Sequence, residues 1–188
     1  MNILREIYEW SYSIGIAFVI AFIINLFMFQ STKVLGNSMY PTLTEQDYIG
    51  LSRIAHTLRI EPQYGDVVVI DSRVSRPRTW RDDVHYSLNA YAGVLAPTKE
   101  KRHNYWIKRV IGKPGDVLEF DQGRVIRNGT ALEEPYVTEG MYYQSNAKVT
   151  VPTEHIFVLG DNRNNSADSR YIGPVPIDHV LGIMVFKL

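Results

Sequence analysis

The pattern of hydrophobic and polar positions divides the chain into one long apolar run followed by short apolar segments. Residues 13–29, SIGIAFVIAFIINLFMF, contain no charged side chain. At ~1.5 Å of rise per residue this run makes a helix about 26 Å long, near the lower limit for spanning a bilayer. Tyr8, Trp10 and Tyr12 precede it, where an aromatic belt would lie. The pattern predicts a transmembrane anchor over residues 13–30.

Two other interpretations of this run stay open. A cleavable secretory signal has an apolar region of about 7–15 residues that ends in a small-x-small site, whereas this run is longer and ends in MFQSTK. A buried core helix is the other alternative. The flanking basic residues, Arg5 and Lys33, are too evenly placed for the positive-inside rule to orient the segment.

From Tyr48 onward the pattern is typical of β-strands. Short apolar, β-branched runs are separated by Gly and Pro, and the clearest lie at residues 66–72, 105–112, 155–160 and 180–188. Residues 116–132 predict a meander with a two-residue hairpin turn at Asn128-Gly129. We therefore expect an all-β domain of mostly antiparallel sheets after one N-terminal helix.

Residues 73–104 interrupt the strand pattern. Basic residues at 73, 76, 78, 81, 99, 101 and 102 outnumber the acidic ones at 82, 83 and 100. The segment is interpreted as an insertion on the β scaffold, in which DDVHYSLNAYA favours a short helix. It forms either a solvated insertion or a basic patch that faces anionic lipid headgroups.

Composition excludes several classes of function. The 188 residues include 20 basic and 20 acidic ones, and this balance lacks the basic footprint of a nucleic-acid-binding protein. There is no cysteine, which excludes disulfides, thiolate metal sites and a cysteine nucleophile. The five histidines form no H-x-x-x-H pair, so we expect no metal site.

Ser38 and Lys108 are the first candidates for chemistry. Ser38 lies in GNSMY, which differs from a G-x-S-x-G nucleophile elbow because Tyr40 replaces the second glycine. A serine in such a turn is commonly only a turn former. In a strand, Lys108 shares a face with Trp106 and Val110. A lysine there either extends to water or is desolvated, and desolvation would lower its pKa and make it a general base.

The segment GDNRNNSADSR, residues 160–170, has almost no apolar content. It is either a solvated loop or an internally hydrogen-bonded one, and its balanced charges at Asp161, Arg163, Asp168 and Arg170 favour the second. A calcium loop is excluded, because Arg163 occupies an alternate position at which a ligand is needed.

Taken together, four ordered segments closely resemble type I signal peptidases, the membrane-bound serine proteases that remove signal peptides in bacteria. The segments are GNSMYPTL (36–43), YGDVVVI (64–70), IKRVIGKPGD (107–116) and LGDNRNNSADSR (159–170). The resemblance covers roughly residues 13–188 and implies the signal-peptidase/LexA-like β fold.

The resemblance implies a Ser-Lys dyad that works without a cofactor, with Ser38 as the nucleophile and Lys108 as the general base. The Ser38 N–H would be one donor to the oxyanion. Ser166 matches the family serine that orients the lysine amine, and Asp168 and Arg170 match an ion pair that supports this loop.

Two positions depart from the family pattern. Some members carry a serine two residues before the nucleophile, which supplies a second oxyanion donor. Here that position is Gly36, and the resemblance implies the same glycine in the branch typical of Gram-positive bacteria. We therefore expect Gly36→Ser to raise kcat modestly, unless Gly36 has a positive φ that a serine would strain. Asn164 stands where many relatives carry Asp, which is expected to weaken ion pairing in the loop.

The resemblance also implies a topology in the bacterial cell membrane. Residues 1–12 would be cytoplasmic, 13–30 would form the anchor and 31–188 would form the extracytoplasmic catalytic domain. The partners would be the signal peptides of exported preproteins, the lipid bilayer and the secretion translocon, with no nucleic acid.

A short tether would keep the nucleophile near the membrane. Gln30 and Ser38 can be at most ~28 Å apart along the chain, so Ser38 would lie close to the outer end of the anchor. Met39, Tyr40 and Leu43 are then expected at the lipid interface.

Three competing interpretations remain. A self-cleaving repressor-type protease shares the dyad on a related β fold but would be soluble, usually with a DNA-binding domain. A β-lactam-type enzyme is suggested by SNAK, residues 145–148, without its partner motifs. A signal-peptidase-like chaperone for surface assembly would have lost catalytic residues, whereas Ser38 and Lys108 are both present.

Overall fold

A computed structural model describes residues 3–84, 86 and 104–188. Most of the helix predicted in DDVHYSLNAYA, and the basic residues 99, 101 and 102, lie outside the described residues. The elements run in the order α1 (Ile3–Met28), β1 (Phe29–Lys33), β2 (Tyr48–Ser52), α2 (Ile54–Leu58), β3 (Val67–Asp71), β4 (Tyr105–Gly112), β5 (Val117–Asp121), β6 (Arg124–Arg127), β7 (Thr130–Ala131), β8 (Ser145–Thr150), β9 (His155–Leu159), α3 (Ser169–Ile172), β10 (Val175–Pro176), a 3-10 turn (Ile177–His179) and β11 (Val180–Lys187).

The strands form two sheets. A seven-stranded sheet has the order β1-β2-β11-β3-β4-β9-β10, and a four-stranded sheet has the order β7-β6-β5-β8. Every strand pair in the described part of the chain is antiparallel. This arrangement confirms the predicted fold class of mostly antiparallel sheets.

The meander predicted over residues 116–132 is formed by β5, β6 and β7. Asn128 and Gly129 connect β6 to β7, with φ angles of +54° and +80°. Positive φ at both positions is what a type I′ hairpin turn requires, and Asn-Gly satisfies it at little steric cost.

The N-terminal helix is longer than the predicted segment on its N-terminal side. It begins at Ile3, and Ser13 does not interrupt it because its hydroxyl donates back to the carbonyl oxygen of Glu9 at 2.9 Å. The helix ends at Met28, and residues 29–33 pair with β2 as a strand. Within the ranges described here, no helix has both the length and the apolar character needed to cross a membrane.

Met39 and Leu43 lie in the core, so the prediction that they contact lipid is wrong. Both are fully buried in a cluster that includes Val34, Ile49 and other apolar residues of the large sheet. The turn folds back on itself, because the Leu43 N–H donates to the Met39 carbonyl oxygen at 2.9 Å, and this places both side chains inward. Of the three residues expected at the interface, only Tyr40 is exposed.

Candidate active site

Ser38 and Lys108 are brought together from two distant parts of the chain. Ser38 lies in the turn between β1 and β2, and Lys108 lies in the middle of β4. The Lys108 Nζ atom donates to Ser38 Oγ at 2.7 Å and to the carbonyl oxygen of Ile107 at 2.9 Å. The same short contact lets a neutral amine accept the serine proton, which is the geometry of an activated nucleophile.

Lys108 does not extend to water, since only 3% of it is exposed. Its strand pairs with β3, where Val68 lies opposite, and the Trp106 ring on the same face has its centroid 5.7 Å from Nζ. Burial lowers the pKa of Lys108 to about 8, although the carboxylates of Asp168 and Asp161 oppose the shift. At pH 7 about one lysine in ten is then neutral, against fewer than one in a thousand for a free lysine.

The turn that carries Ser38 has an unusual main-chain conformation. Gly36 has a φ of +79°, the left-handed region in which glycine carries no steric penalty. The turn also contains a cis peptide bond between Tyr40 and Pro41. In the part of the chain that the structure describes, no protein group accepts a hydrogen bond from the Ser38 N–H. This N–H can therefore donate to an oxyanion.

The loop of residues 160–170 is internally hydrogen-bonded, as its charge pattern predicts. Arg170 donates through Nε and Nη2 to the two carboxylate oxygens of Asp168, each at 2.8 Å, and both side chains are buried. Arg170 Nη2 also donates to the carbonyl oxygens of Arg163 and Ser166. Asp168 Oδ2 accepts from the Gly160 N–H at 3.0 Å. The predicted Asp168–Arg170 ion pair therefore closes the loop onto itself.

Ser166 does not form the predicted hydrogen bond to Lys108 in this structure. Its hydroxyl instead donates to the carbonyl oxygen of Ala167 at 3.5 Å, while Lys108 uses Ser38 and Ile107. Ser166 Oγ does lie close to the nucleophile turn, because a Cβ at Gly160 would meet both this atom and the carbonyl oxygen of Ser38. An orienting role for Ser166 stays a prediction.

Gly160 is a site residue that the sequence did not reveal. A Cβ atom at this position would overlap Ser166 Oγ and lie 2.5 Å from the carbonyl oxygen of Ser38. The glycine therefore permits the close approach of the loop to the nucleophile turn. Its sequence signal is only its position directly after the buried strand β9.

A buried ion pair between Arg109 and Asp161 links the three parts of the site, which are β4, the loop of residues 160–170 and the nucleophile turn. Arg109 donates from Nε to Oδ1 at 2.8 Å and from Nη2 to Oδ2 at 2.6 Å. The hydroxyl of Thr42, from the nucleophile turn, donates to Asp161 Oδ2 at 2.5 Å. Arg109 and Asp161 both lie in segments that resemble the family, but nothing in the sequence indicates that their side chains pair.

Asn162 contacts the nucleophile turn twice. Its N–H donates to the carbonyl oxygen of Ser38 at 3.0 Å, and its Nδ2 donates to the carbonyl oxygen of Asn37 at 3.1 Å. Sequence reasoning also missed this residue, because an asparagine in a polar loop carries no signal of its partner.

Asn164 forms hydrogen bonds where a weakened ion pair was expected. Its Oδ1 accepts from the N–H of Tyr142 at 2.9 Å, and its Nδ2 donates to the carbonyl oxygen of Gly140 at 3.0 Å. The neighbouring Arg163 pairs with Glu134 through two contacts of 2.7 and 2.6 Å. The loop is thus fastened to the segment before β8 by neutral and charged contacts together.

The S-x-x-K motif of residues 145–148 does not form a site. It lies on β8, at the edge of the small sheet, and the Lys148 side chain is 64% exposed and pairs with Glu119 at 2.9 Å. Among the described residues, no group of three or more His, Asp or Glu side chains could hold a metal ion.

Comparisons with known proteins agree with the geometry. Residues 7–188 match the family described as "Signal peptidase, peptidase S26". The chain is 34% identical over 166 residues to the probable signal peptidase I-2 of Synechocystis sp. (strain ATCC 27184 / PCC 6803 / Kazusa). The aligned region covers 88% of this chain and 66% of that protein. It is 33% identical to a signal peptidase I of Leptolyngbya laminosa, over 93% of this chain and 76% of that protein. It is 32% identical to signal peptidase I S of Bacillus subtilis (strain 168), over 88% of this chain and 79% of that protein.

Proposed function

The chain belongs to the signal peptidase family, peptidase S26, and we propose that it removes signal peptides from exported preproteins with Ser38 as its nucleophile and Lys108 as its general base. The observation that carries the proposal is the 2.7 Å contact between Lys108 Nζ and Ser38 Oγ, made by a lysine whose pKa is lowered to about 8. The protein is a serine endopeptidase of the signal peptidase I type.

The reaction is an acyl transfer in two stages. Ser38 Oγ attacks the scissile carbonyl carbon while Lys108 takes the hydroxyl proton, and the carbonyl oxygen becomes an oxyanion that accepts from the Ser38 N–H. Collapse of this intermediate releases the mature protein, whose new amino group takes the proton from Lys108. A water molecule deprotonated by Lys108 then hydrolyses the acyl-enzyme and frees the signal peptide.

The substrate is a signal peptide cut after a small-x-small sequence. The relatives named above are signal peptidases, and this comparison supports the substrate class. Nothing in the comparisons favours the chaperone alternative. The short contact between Ser38 and Lys108 supports a catalytic dyad, which a chaperone that had lost its catalytic residues would have no reason to keep.

The N-terminal helix is proposed to anchor the enzyme in the bacterial cell membrane, with the catalytic domain outside. Support comes from the uncharged run at residues 13–29 and from the direct connection of the helix to β1 of the large sheet. Leu35 and Tyr40, on either side of Ser38, are exposed, which suits a site that works close to lipid. The secretion translocon is a further proposed partner.

The test is cleavage of a purified precursor with a small-x-small site, followed by gel electrophoresis and mass spectrometry of the product. The wild-type protein should release the mature chain at one bond, and Ser38→Ala should leave the precursor intact. Ser145→Ala, which removes a hydroxyl from the remote edge strand β8, is the matched control and should cleave normally. Cleavage by Ser38→Ala at the wild-type rate would contradict the proposal.

A further inference from the structure

Asn162 holds both peptide groups that flank the nucleophile. Its side-chain Nδ2 donates to the carbonyl oxygen of Asn37, and its main-chain N–H donates to the carbonyl oxygen of Ser38. The first carbonyl belongs to the peptide group before the Ser38 α-carbon, and the second belongs to the one after it. One residue of the loop therefore fixes the orientation of the serine main chain on both sides.

The contact with Asn37 also determines where the Ser38 N–H points. The peptide group between Asn37 and Ser38 is planar and trans, so its carbonyl and its N–H point in opposite directions. A donor that fixes the carbonyl on one side fixes the N–H on the other. Among the described residues this N–H has no protein acceptor, so it points away from Asn162 and remains available to an incoming group.

From this geometry we propose that Asn162 is a positioning residue, which aims the Ser38 N–H at the oxyanion that forms during cleavage. The inference rests on the proposed function, in which that N–H is an oxyanion donor. The hydrogen bond from Asn162 to the Asn37 carbonyl also polarises the shared peptide group, which makes the Ser38 N–H a stronger donor.

The absence of a side chain at Gly36 makes the direction of the Ser38 N–H more important for stabilising the oxyanion. Gly36 supplies no hydroxyl to the site, so the oxyanion depends more on the main-chain donor at Ser38. A donor that must act without a side-chain partner contributes only if its direction is held before the reaction begins. Asn162 provides that hold from the loop that also carries Asp161 and Asp168.

The rival explanation is that Asn162 only fastens the loop to the rest of the protein. Asn164 offers the matched control, since its side chain makes two hydrogen bonds of similar length from the same loop, to Tyr142 and Gly140 and not to the nucleophile turn. If fastening is all that matters, then Asn164→Ala and Asn162→Ala should have similar effects on activity.

The first measurement is steady-state precursor cleavage by three variants. We expect Asn162→Ala to lower kcat by about tenfold to a hundredfold, less than the ~100–1,000-fold typical of outright loss of a donor. KM and the pH midpoint of the reaction should stay at their wild-type values, because the substitution removes contacts to the main chain of the nucleophile turn and leaves Lys108 in place. Asn162→Asp should be worse than Asn162→Ala, because it sets a carboxylate oxygen against the Asn37 carbonyl. Asn164→Ala should keep kcat within about threefold of wild type.

The second measurement separates oxyanion stabilisation from substrate binding. A peptide aldehyde with the signal-peptide sequence adds to Ser38, so that Oγ bonds to the aldehyde carbon, the serine proton passes to Lys108 and the aldehyde oxygen becomes the oxyanion. Asn162→Ala should weaken binding of the aldehyde by the same factor as it lowers kcat. Binding of the corresponding peptide alcohol, which forms no oxyanion, should not change.

Each outcome distinguishes this inference from the proposed function. A wild-type protein that leaves the precursor intact would overturn the proposed function and this inference with it. If the wild type cleaves and Ser38→Ala does not, then a kcat of Asn162→Ala within twofold of wild type would overturn the inference alone. Equal losses of kcat in Asn162→Ala and Asn164→Ala would also overturn the inference alone. Thermal melting of each variant checks the fold. If the melting temperatures differ, the ratio of the affinities for the peptide aldehyde and the peptide alcohol still decides between the two explanations.

Discussion

Arg109 and Asp161 form a two-point ion pair, with Nε to Oδ1 at 2.8 Å and Nη2 to Oδ2 at 2.6 Å. Arg109 follows the proposed base in the chain, and Asp161 lies in the loop that contacts the proposed nucleophile. Since Thr42 of the nucleophile turn also donates to Asp161, this pair holds the three parts of the site in register.

Removing Asp161 should therefore cost both stability and activity. Asp161→Ala leaves the largely buried guanidinium of Arg109 without its partner, and breaking such a pair costs about 3–5 kcal/mol. We expect a fall of this size in the free energy of unfolding, measured by urea denaturation. Glu119→Ala, which breaks an exposed pair with Lys148, should cost less than about 1 kcal/mol.

The double variant Arg109→Met/Asp161→Ala tests the cause of that loss. It should be more stable than Asp161→Ala, because it leaves no unpaired buried charge. Equal stability of the single and double variants would show that the ion pair is not what Asp161 contributes.

The pH dependence of cleavage should follow Lys108. The lysine works as a base only when neutral, and burial lowers its pKa to about 8. The value of kcat/KM should therefore rise with pH through a midpoint near 8 and level off above it, provided that chemistry limits the rate. A rate that is constant from pH 6 to 10 would argue against a lysine base.

The buried lysine should also make the protein less stable at neutral pH. Its pKa is lower in the folded chain than the 10.5 of an exposed lysine, so folding is penalised wherever the lysine is protonated. The penalty is fully present below pH 8, at about 3 kcal/mol, and disappears as the pH rises to 10.5. Lys108→Met should thus be more stable than wild type at pH 7, and the difference should vanish near pH 10.5. A difference that is independent of pH would show that packing, and not charge, is responsible.

Gly36 now leads to the opposite prediction from the one its sequence position suggested. Its φ of +79° is one that side chains adopt only with strain, although no described residue other than its chain neighbours has an atom within 4 Å of where a Cβ would be. We expect Gly36→Ser and Gly36→Ala to reduce kcat and to destabilise the turn by about 1–2 kcal/mol, as left-handed residues other than glycine do. Higher kcat in Gly36→Ser than in wild type, with Gly36→Ala impaired, would restore the idea of an added oxyanion donor.

Local patterns were sufficient to predict the elements that carry the dyad. Period-two alternation placed Lys108 on an apolar face and left open whether it extends to water, and the structure shows that it is buried. The hairpin turn at Asn128-Gly129 could also be predicted, because its conformation depends only on two adjacent residues. By contrast, β8 has the sequence SNAKVT, and its mostly exposed side chains give no apolar signal.

What the sequence could not predict depends on contacts between distant segments. Arg109 and Asp161 are far apart in the chain, and no local pattern pairs them. Met39 and Leu43 were placed at the lipid interface because they are apolar and near the predicted anchor, but the fold of the turn buries them. Asn162 and Gly160 acquire their roles only when the loop packs against the nucleophile turn.

The measurement that tests the account most directly is precursor cleavage by Ser38→Ala, Lys108→Ala and their double variant, at a pH where the wild type is fully active. Residues that act as one unit are not additive, so each single variant should lose nearly all activity and the double variant should be little worse than either. Circular dichroism should show all three folded. Residual activity within about tenfold of wild type in either single variant, where loss of a catalytic group typically costs far more, would contradict the Ser38–Lys108 dyad.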